Sequence, residues 1–168
     1  NKNIILTKEL IKEKLNKDNF NFIKIYERHY VGVVKGMYAT KNGHGGLVPI
    51  QIFNNYFKND TPFSLRYTGC QGDVMKESVQ CALTATLNYL ENNKKKFNIK
   101  NLKDILEENF KNGFHIHAPN CSTPKDGPSA GIAFCIGFLS KILNKNINKE
   151  LALTGEVDLL GNITKIGG

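Results

Sequence analysis

The 168 residues, 40% hydrophobic and 10% aromatic, suit one globular domain with a sizeable core, and no apolar run is long enough to span a bilayer. A formal charge of +8, from 23 basic and 15 acidic residues, raises nucleic acid or an anionic membrane as a partner; the cations are scattered, however, and accompany 21 asparagines, a compositional bias rather than a patch. Nucleic acid is therefore not expected as the primary partner, and four cysteines without C-x-x-C spacing argue against a zinc ribbon or a disulfide framework and for a reducing compartment.

In chain order, residues 4–6 read as a short strand and Thr7 as the cap of a helix to about residue 15, with Leu10, Ile11 and Leu15 inward. Residues 30–39 alternate, carrying Val31, Val33, Val34, Met37 and Tyr38, and predict a strand. The turn Asn42-Gly43-His44-Gly45-Gly46, with His44 as a solvated loop residue, leads into a second strand over 47–53. A third strand over 63–68 ends in a turn at 69–72. Asp73 is placed as the N-cap of a helix whose core stripe is Met75, Val79, Ala82, Leu83, Thr86, Leu87 and Leu90. Lys94-Lys95-Lys96 falls at its C-terminal end, where cations are favoured, and opens a lysine- and asparagine-rich surface connection. A helix over about 101–111 starts on a capping box of Asn101 and Asp104 and stops at Asn112-Gly113.

Residues 114–118 alternate as a strand, which puts His115 and His117 on one face. With Cys121 they raise a zinc site, but no fourth ligand or orienting carboxylate accompanies them, so a core or site-wall role is expected instead. Cys81 and Cys135 sit in apolar helical stretches and behave as small hydrophobes. Near the end, apolar residues 151–153 meet the turn Thr154-Gly155-Glu156, and Gly161-Asn162 turns into a strand over 163–166.

The most informative stretch is Pro124-Lys125-Asp126-Gly127-Pro128-Ser129-Ala130-Gly131, with an apolar run over 132–143 behind it. Asp126 or Gly127 caps a helix that Pro128 starts, and Ser129 is expected in the first turn, where backbone N–H groups and the positive end of the helix dipole would stabilise an oxyanion. Pro128 has no N–H, so an oxyanion hole must use the amide of Ser129 or its neighbours. Ile132, Phe134, Ile136, Phe138, Leu139, Ile142 and Leu143 point all round, as a buried helix requires. An isolated Pro-Ser would be no more than a cap.

The octapeptide, with Gly72-Asp73-Val74-Met75-Lys76-Glu77-Ser78, Phe114-His115-Ile116-His117, Thr154-Gly155-Glu156 and Ile166-Gly167-Gly168, closely resembles the proteolytic domain of the Lon family of ATP-dependent proteases, over about residues 4–168. The resemblance implies an α+β fold of mixed sheets with packed helices, ribosomal protein S5 domain 2-like, filling residues 1–168 as one domain. It implies Ser129 as nucleophile, with Asp126, His115, His117 and Thr154 as supporting site wall, Thr154 helping to hold a lysine. It further implies unfolded or damaged proteins as substrates, a hexameric ring, and ATP and Mg²⁺ for a full-length protein. These 168 residues contain no G-x-x-x-x-G-K-[ST] loop, and no cofactor or metal is expected on them. The compartment implied is a mitochondrial matrix or, alternatively, a bacterial cytoplasm.

A serine hydroxyl needs something to take its proton, and no Ser-His-Asp order of known pattern is present. A lysine base must fall in pKa from about 10.4 to roughly 7 or 8, which burial supplies at a cost of about 4 kcal/mol. The resemblance implies such a Ser-Lys dyad, with the lysine a few residues after Ile166-Gly167-Gly168 and so beyond the last residue here. Lys165 precedes that block and Lys125 lies in the octapeptide; neither occupies the family position, and negligible peptidase activity is expected of these residues alone. Three departures from the family pattern stand out: Gln51 for a glutamate, Asn120-Cys121 for Glu-Gly, and a longer turn over 41–46; the 94–100 connection also reads as an insertion. The alternative is a catalytically silent nucleic-acid or protein-docking module on the same scaffold.

Overall fold

Gly32 divides the strand expected over 30–39 into β1 (Tyr30–Val31) and β2 (Val33–Ala39). Its φ is +72°, its N–H donates to the Ser140 hydroxyl, its carbonyl accepts from Ile52 N–H, and a Cβ there would stand 2.3 Å from the Ile52 carbonyl oxygen. Only glycine admits that approach, so the chain steps out of one sheet and into another. The structure, a computed structural model, describes residues 26–39, 45–57 and 61–166. The strand expected over 4–6, the helix over 7–15, the turn around His44 and the pair Gly167-Gly168 lie outside those residues.

After β2 come β3 (Gly45–Asn54), β4 (Leu65–Thr68), α1 (Asp73–Asn92), α2 (Leu102–Asn109), β5 (Phe114–His117), α3 (Gly131–Leu143), β6 (Asn146–Ile147), β7 (Ala152–Leu153), β8 (Glu156–Val157) and β9 (Ile163–Thr164). The main sheet has the order β4-β5-β3-β2-β7; β4 and β7 run parallel to their neighbours, and the pairs in between are antiparallel. β1 pairs with β6, and β8 with β9. Among the described residues, three helices over mixed sheets make the fold α+β.

Alternation decides which face is buried. Val34, Ile50, Ile52, Phe114 and Ile116 point at α1 and α3 and meet Met75, Val79, Ala82 and Leu90 of the first and Phe134 and Phe138 of the second. Phe114 and Phe138 meet edge to face, 5.2 Å between centroids. Each such side chain contributes roughly 1.5–3 kcal/mol by leaving water. Arg66, Thr68, His115 and His117 are left, with Gln51 and Phe53, on the opposite face, registered Arg66 with His115 and Phe53, and Thr68 with His117 and Gln51.

Several boundaries differ from expectation for identifiable reasons. The N-cap of α1 is Gly72, and Asp73 is its first helical residue, because the cap is supplied from elsewhere in the chain, as described below. Asn101 caps α2 by accepting from Lys103 N–H, but the helix stops at Asn109, short of the expected Asn112-Gly113. The 93–100 connection is more than surface: Ile99 is buried, Phe97 packs edge to face on Tyr89, and Lys96 lies over both rings. α3 starts at Gly131, so Ser129 precedes the helix rather than riding its first turn. The carbonyl that Ser129 would give to a helical bond accepts instead from Gly155 N–H at 2.7 Å. Among the described residues no helix is long and apolar enough to cross a membrane.

Candidate active site

Ser129 is held by its own backbone from two sides. Its carbonyl accepts from Gly155 N–H and from the Thr154 hydroxyl at 3.1 Å, and Gly155 in turn accepts from Ile132 N–H at 3.0 Å. The turn that Thr154 opens thus grips both Ser129, two residues before α3, and the first turn of α3. On the other side the Ser78 hydroxyl of α1 donates to the Pro128 carbonyl. The serine side chain is half-buried, and among the described residues its hydroxyl has no hydrogen-bond partner.

The loop before it is zipped to the turn after β4. Lys125 N–H donates to the Cys70 carbonyl and Gly72 N–H to the Lys125 carbonyl, a short parallel bridge between Gln71 and Lys125. Lys125 Nζ donates to three carbonyls, those of Gly69, Asn120 and Thr123, at 3.2, 2.7 and 2.9 Å. Burial lowers its pKa, while the neighbouring Cys121 and Cys70 pull it back up. With all three hydrogens committed to carbonyls, this ammonium clasps the loop, and among the described residues no hydrogen bond joins it to Ser129.

Asp126 does the capping expected of Asp73, across space. Its Oδ1 accepts from Met75 N–H at 2.8 Å, the third residue of α1, and from Gly127 N–H at 3.0 Å. Gly72 makes the approach possible, since a Cβ there would lie 2.4 Å from Asp126 Cγ. A carboxylate on the positive end of a 20-residue helix is favourable in its own right.

Ser129, Lys125 and Asp126 line a cavity of about 600 Å³ whose opposite wall is apolar, with Met37, Leu47 and Val48 from the β2–β3 hairpin and Met75 from α1. β7 pairs with β2 only at Lys35 and Gly36, so the stretch of β2 beyond Gly36 has an open edge along this cavity, among the described residues. The N–H groups of Gly131 and Ile132 are taken by Pro128 and Gly155 carbonyls; those of Ser129 and Ala130 have no partner among the described residues and remain to bind an oxyanion.

His115 and His117 lie elsewhere. Both bond to one hydroxyl, that of Thr68, through His115 Nε2 at 2.9 Å and His117 Nδ1 at 2.7 Å, and neither is among the residues lining the Ser129 cavity. Burial first, then the charges of Arg66 and His117, push the His115 pKa below its ordinary value. Cys121 is exposed, and no three His, Cys, Asp or Glu side chains converge among the described residues. Gln51 donates to the Tyr26 hydroxyl at 2.9 Å. Thr154 reaches the site through the Ser129 carbonyl rather than through the cavity. Sequence reasoning quoted Gly72 and Ser78 within a motif but gave them no role, and it gave none to Gln71, which is buried, with its Nε2 on the Thr68 and Ile116 carbonyls, and is signalled only by its place before a turn glycine.

The family model for the Lon protease (S16) C-terminal proteolytic domain matches residues 5–168. A Lon protease homolog of Acanthamoeba polyphaga mimivirus is 48% identical over 168 residues, 98% of this chain and 16% of that protein. The Lon protease of Mycoplasma mycoides is 37% identical over 99% of the chain and 19% of its own length, and that of Vibrio parahaemolyticus 35% over 99% and 20%. The chain therefore spans about a fifth or less of the length of the relatives it matches. These relatives are viral and bacterial, and they give the expected mitochondrial matrix no support. With a matching model that leaves out only the first four residues, and relatives aligned over 98–99% of the chain, this chain belongs to the Lon protease family, as its C-terminal proteolytic domain.

Proposed function

We propose that Ser129 is the nucleophile of an ATP-dependent endopeptidase acting on unfolded or damaged proteins. The observation that carries this reading is a serine hydroxyl on the wall of a large cavity, beside two N–H groups, all three without a partner among the described residues, and clamped through the serine carbonyl by Thr154 and Gly155. Substrate lies extended along the open edge of β2, main chain to main chain, which holds a polypeptide without strong sequence choice. A lysine amine supplied after Gly168, lowered in pKa by the apolar wall of the cavity, takes the Ser129 proton as Oγ attacks the peptide carbonyl. The Ser129 and Ala130 N–H groups receive the oxyanion. The amine then protonates the leaving nitrogen, and water releases the acyl group from Ser129. Asp126 stands in this wall and fixes it to the start of α1, and His115 and His117 support it at one remove, through the β4–β5 pair.

The full-length protein is read as a hexameric ring that uses ATP and Mg²⁺ on a module outside these 168 residues, in a cytoplasm of bacterial type. The fold is read as ribosomal protein S5 domain 2-like. The test compares three proteins on an unstructured peptide: residues 1–168, the same chain continued through the lysine that follows, and that longer chain with Ser129→Ala. Only the second is expected to cleave, and losing either member of the dyad costs on the order of 10⁶ in rate. Cleavage by the longer chain that survives Ser129→Ala would overturn the assignment.

A further inference from the structure

Lys35, on β2, is 5% exposed although charged. Val34 and Gly36 face α3, and a Cβ at Gly36 would lie 3.6 Å from Ala130 Cβ, so alternation turns Lys35 to the other side of the sheet. There it lines a hollow of about 10 Å³ with Arg28 and Lys149. Among the described residues Lys35 has no hydrogen-bond or ion-pair partner.

Every polar side chain around this hollow has hydrogen to give. Arg28 and Lys149 are cations, and among the described residues Lys149 Nζ reaches only the Glu27 carbonyl, at 3.5 Å. Tyr26 already accepts from Gln51 through its oxygen, which leaves its own O–H to donate. Asn148 spends its carbonyl oxygen on Glu150 N–H, which leaves its NH₂. No carboxylate lines the hollow among the described residues. Three cationic side chains line this one hollow, and an anion placed there is attracted by all three.

We propose that this hollow binds a small anion, one acceptor atom seated against the Lys35 ammonium and the rest held at the mouth by Arg28 and Lys149. The space admits about one water-sized atom, which fits chloride or a single oxygen of an oxyanion such as phosphate. The site lies apart from the Ser129 cavity, shares no lining residue with it, and does not depend on the proteolytic reading.

The test is thermal unfolding of the 168-residue protein at pH 7 and fixed ionic strength, with inorganic phosphate or chloride replacing a bulky, weakly coordinating anion. The midpoint is expected to rise saturably in at least one series, as a ligand of the folded state requires. Lys35→Met, which keeps the apolar stem, should weaken the apparent affinity at least about tenfold, as loss of a charge-assisted hydrogen bond does. Lys149→Gln, at the mouth, should weaken it less, and Lys100→Met, elsewhere on the surface, not at all. A rise with phosphate alone assigns an oxyanion, and a rise with chloride assigns a monatomic one. No saturable rise in either series, or a rise that Lys35→Met and Lys149→Gln keep in full, would show general screening of the +8 charge and overturn the site.

Discussion

Asp126 and Gly72 form a lock whose two halves are forty residues or more apart in sequence and touch only in the fold. Asp126→Ala removes the acceptor for Met75 N–H and should cost about 1 kcal/mol in denaturant unfolding. Gly72→Ala drives a Cβ into the same carboxylate and should destabilise by a similar or larger amount. Because both changes break one contact, Gly72→Ala should cost clearly less in the Asp126→Ala background than alone; full additivity in that cycle would deny the lock. At His115 the prediction concerns pH. The folded-state pKa is lowered, so just below the ordinary value of 6.5 the unfolded chain binds a proton that the folded chain refuses. Stability therefore falls as pH drops through that value and recovers as it rises. Thermal midpoints at pH 5.5 and 7.5 should show this drop, and His115→Gln, which can still bond Thr68, should reduce it.

Elements in this molecule are joined by turns in which a glycine stands against backbone. Gly69, with φ +99°, ends the stretch after β4, and a Cβ there would lie 1.9 Å from the Ala118 carbonyl oxygen. No side-chain rotation relieves that clash. Gly69→Ala should cost about 2 kcal/mol or more and disturb the Lys125 clasp, whose ammonium bonds the Gly69 carbonyl. Gly137 offers the contrast within α3. A Cβ there meets the end of the Ile52 side chain at 2.8 Å, which can swing aside, and alanine gains up to about 1 kcal/mol of helix propensity. Gly137→Ala should come out near neutral by thermal unfolding, so the pair separates backbone from side-chain obstruction. α3 itself carries the centre of the core, and its burial on two sides is what its all-round apolar sequence requires.

For the whole molecule, one core joins the sheet, α1 and α3, so unfolding should be a single cooperative event. The four unpaired cysteines report on it. Cys70 and Cys121 are exposed and should react with a thiol reagent in the native state. Cys135 is buried between α1 and α3, with its thiol pKa raised by burial, and should react only at the rate of global opening. Fast native-state labelling of Cys135 would contradict a single core.

Much of this was legible without coordinates. Alternation in the hairpin strands, the stripe of α1 and the apolar run of α3 are periodic, and periodicity survives in one dimension. The octapeptide singled out Ser129 through its resemblance to the Lon family; the turn formers, helix starter and apolar run around it would by themselves mark only the start of a helix. What the chain alone could not decide are contacts between segments distant in sequence. Gly32 splits a strand because the Ile52 carbonyl lies over it, α3 begins two residues after Ser129 because Gly155 takes the serine carbonyl, and Asp126 caps α1 in place of Asp73. Local pattern sets which elements form, since a hydrophobic face must be buried wherever it ends up. Where each begins, and which polar group closes its end, depends on which backbone N–H and C=O groups the packed neighbours bring within bonding distance, and only the assembled fold determines that.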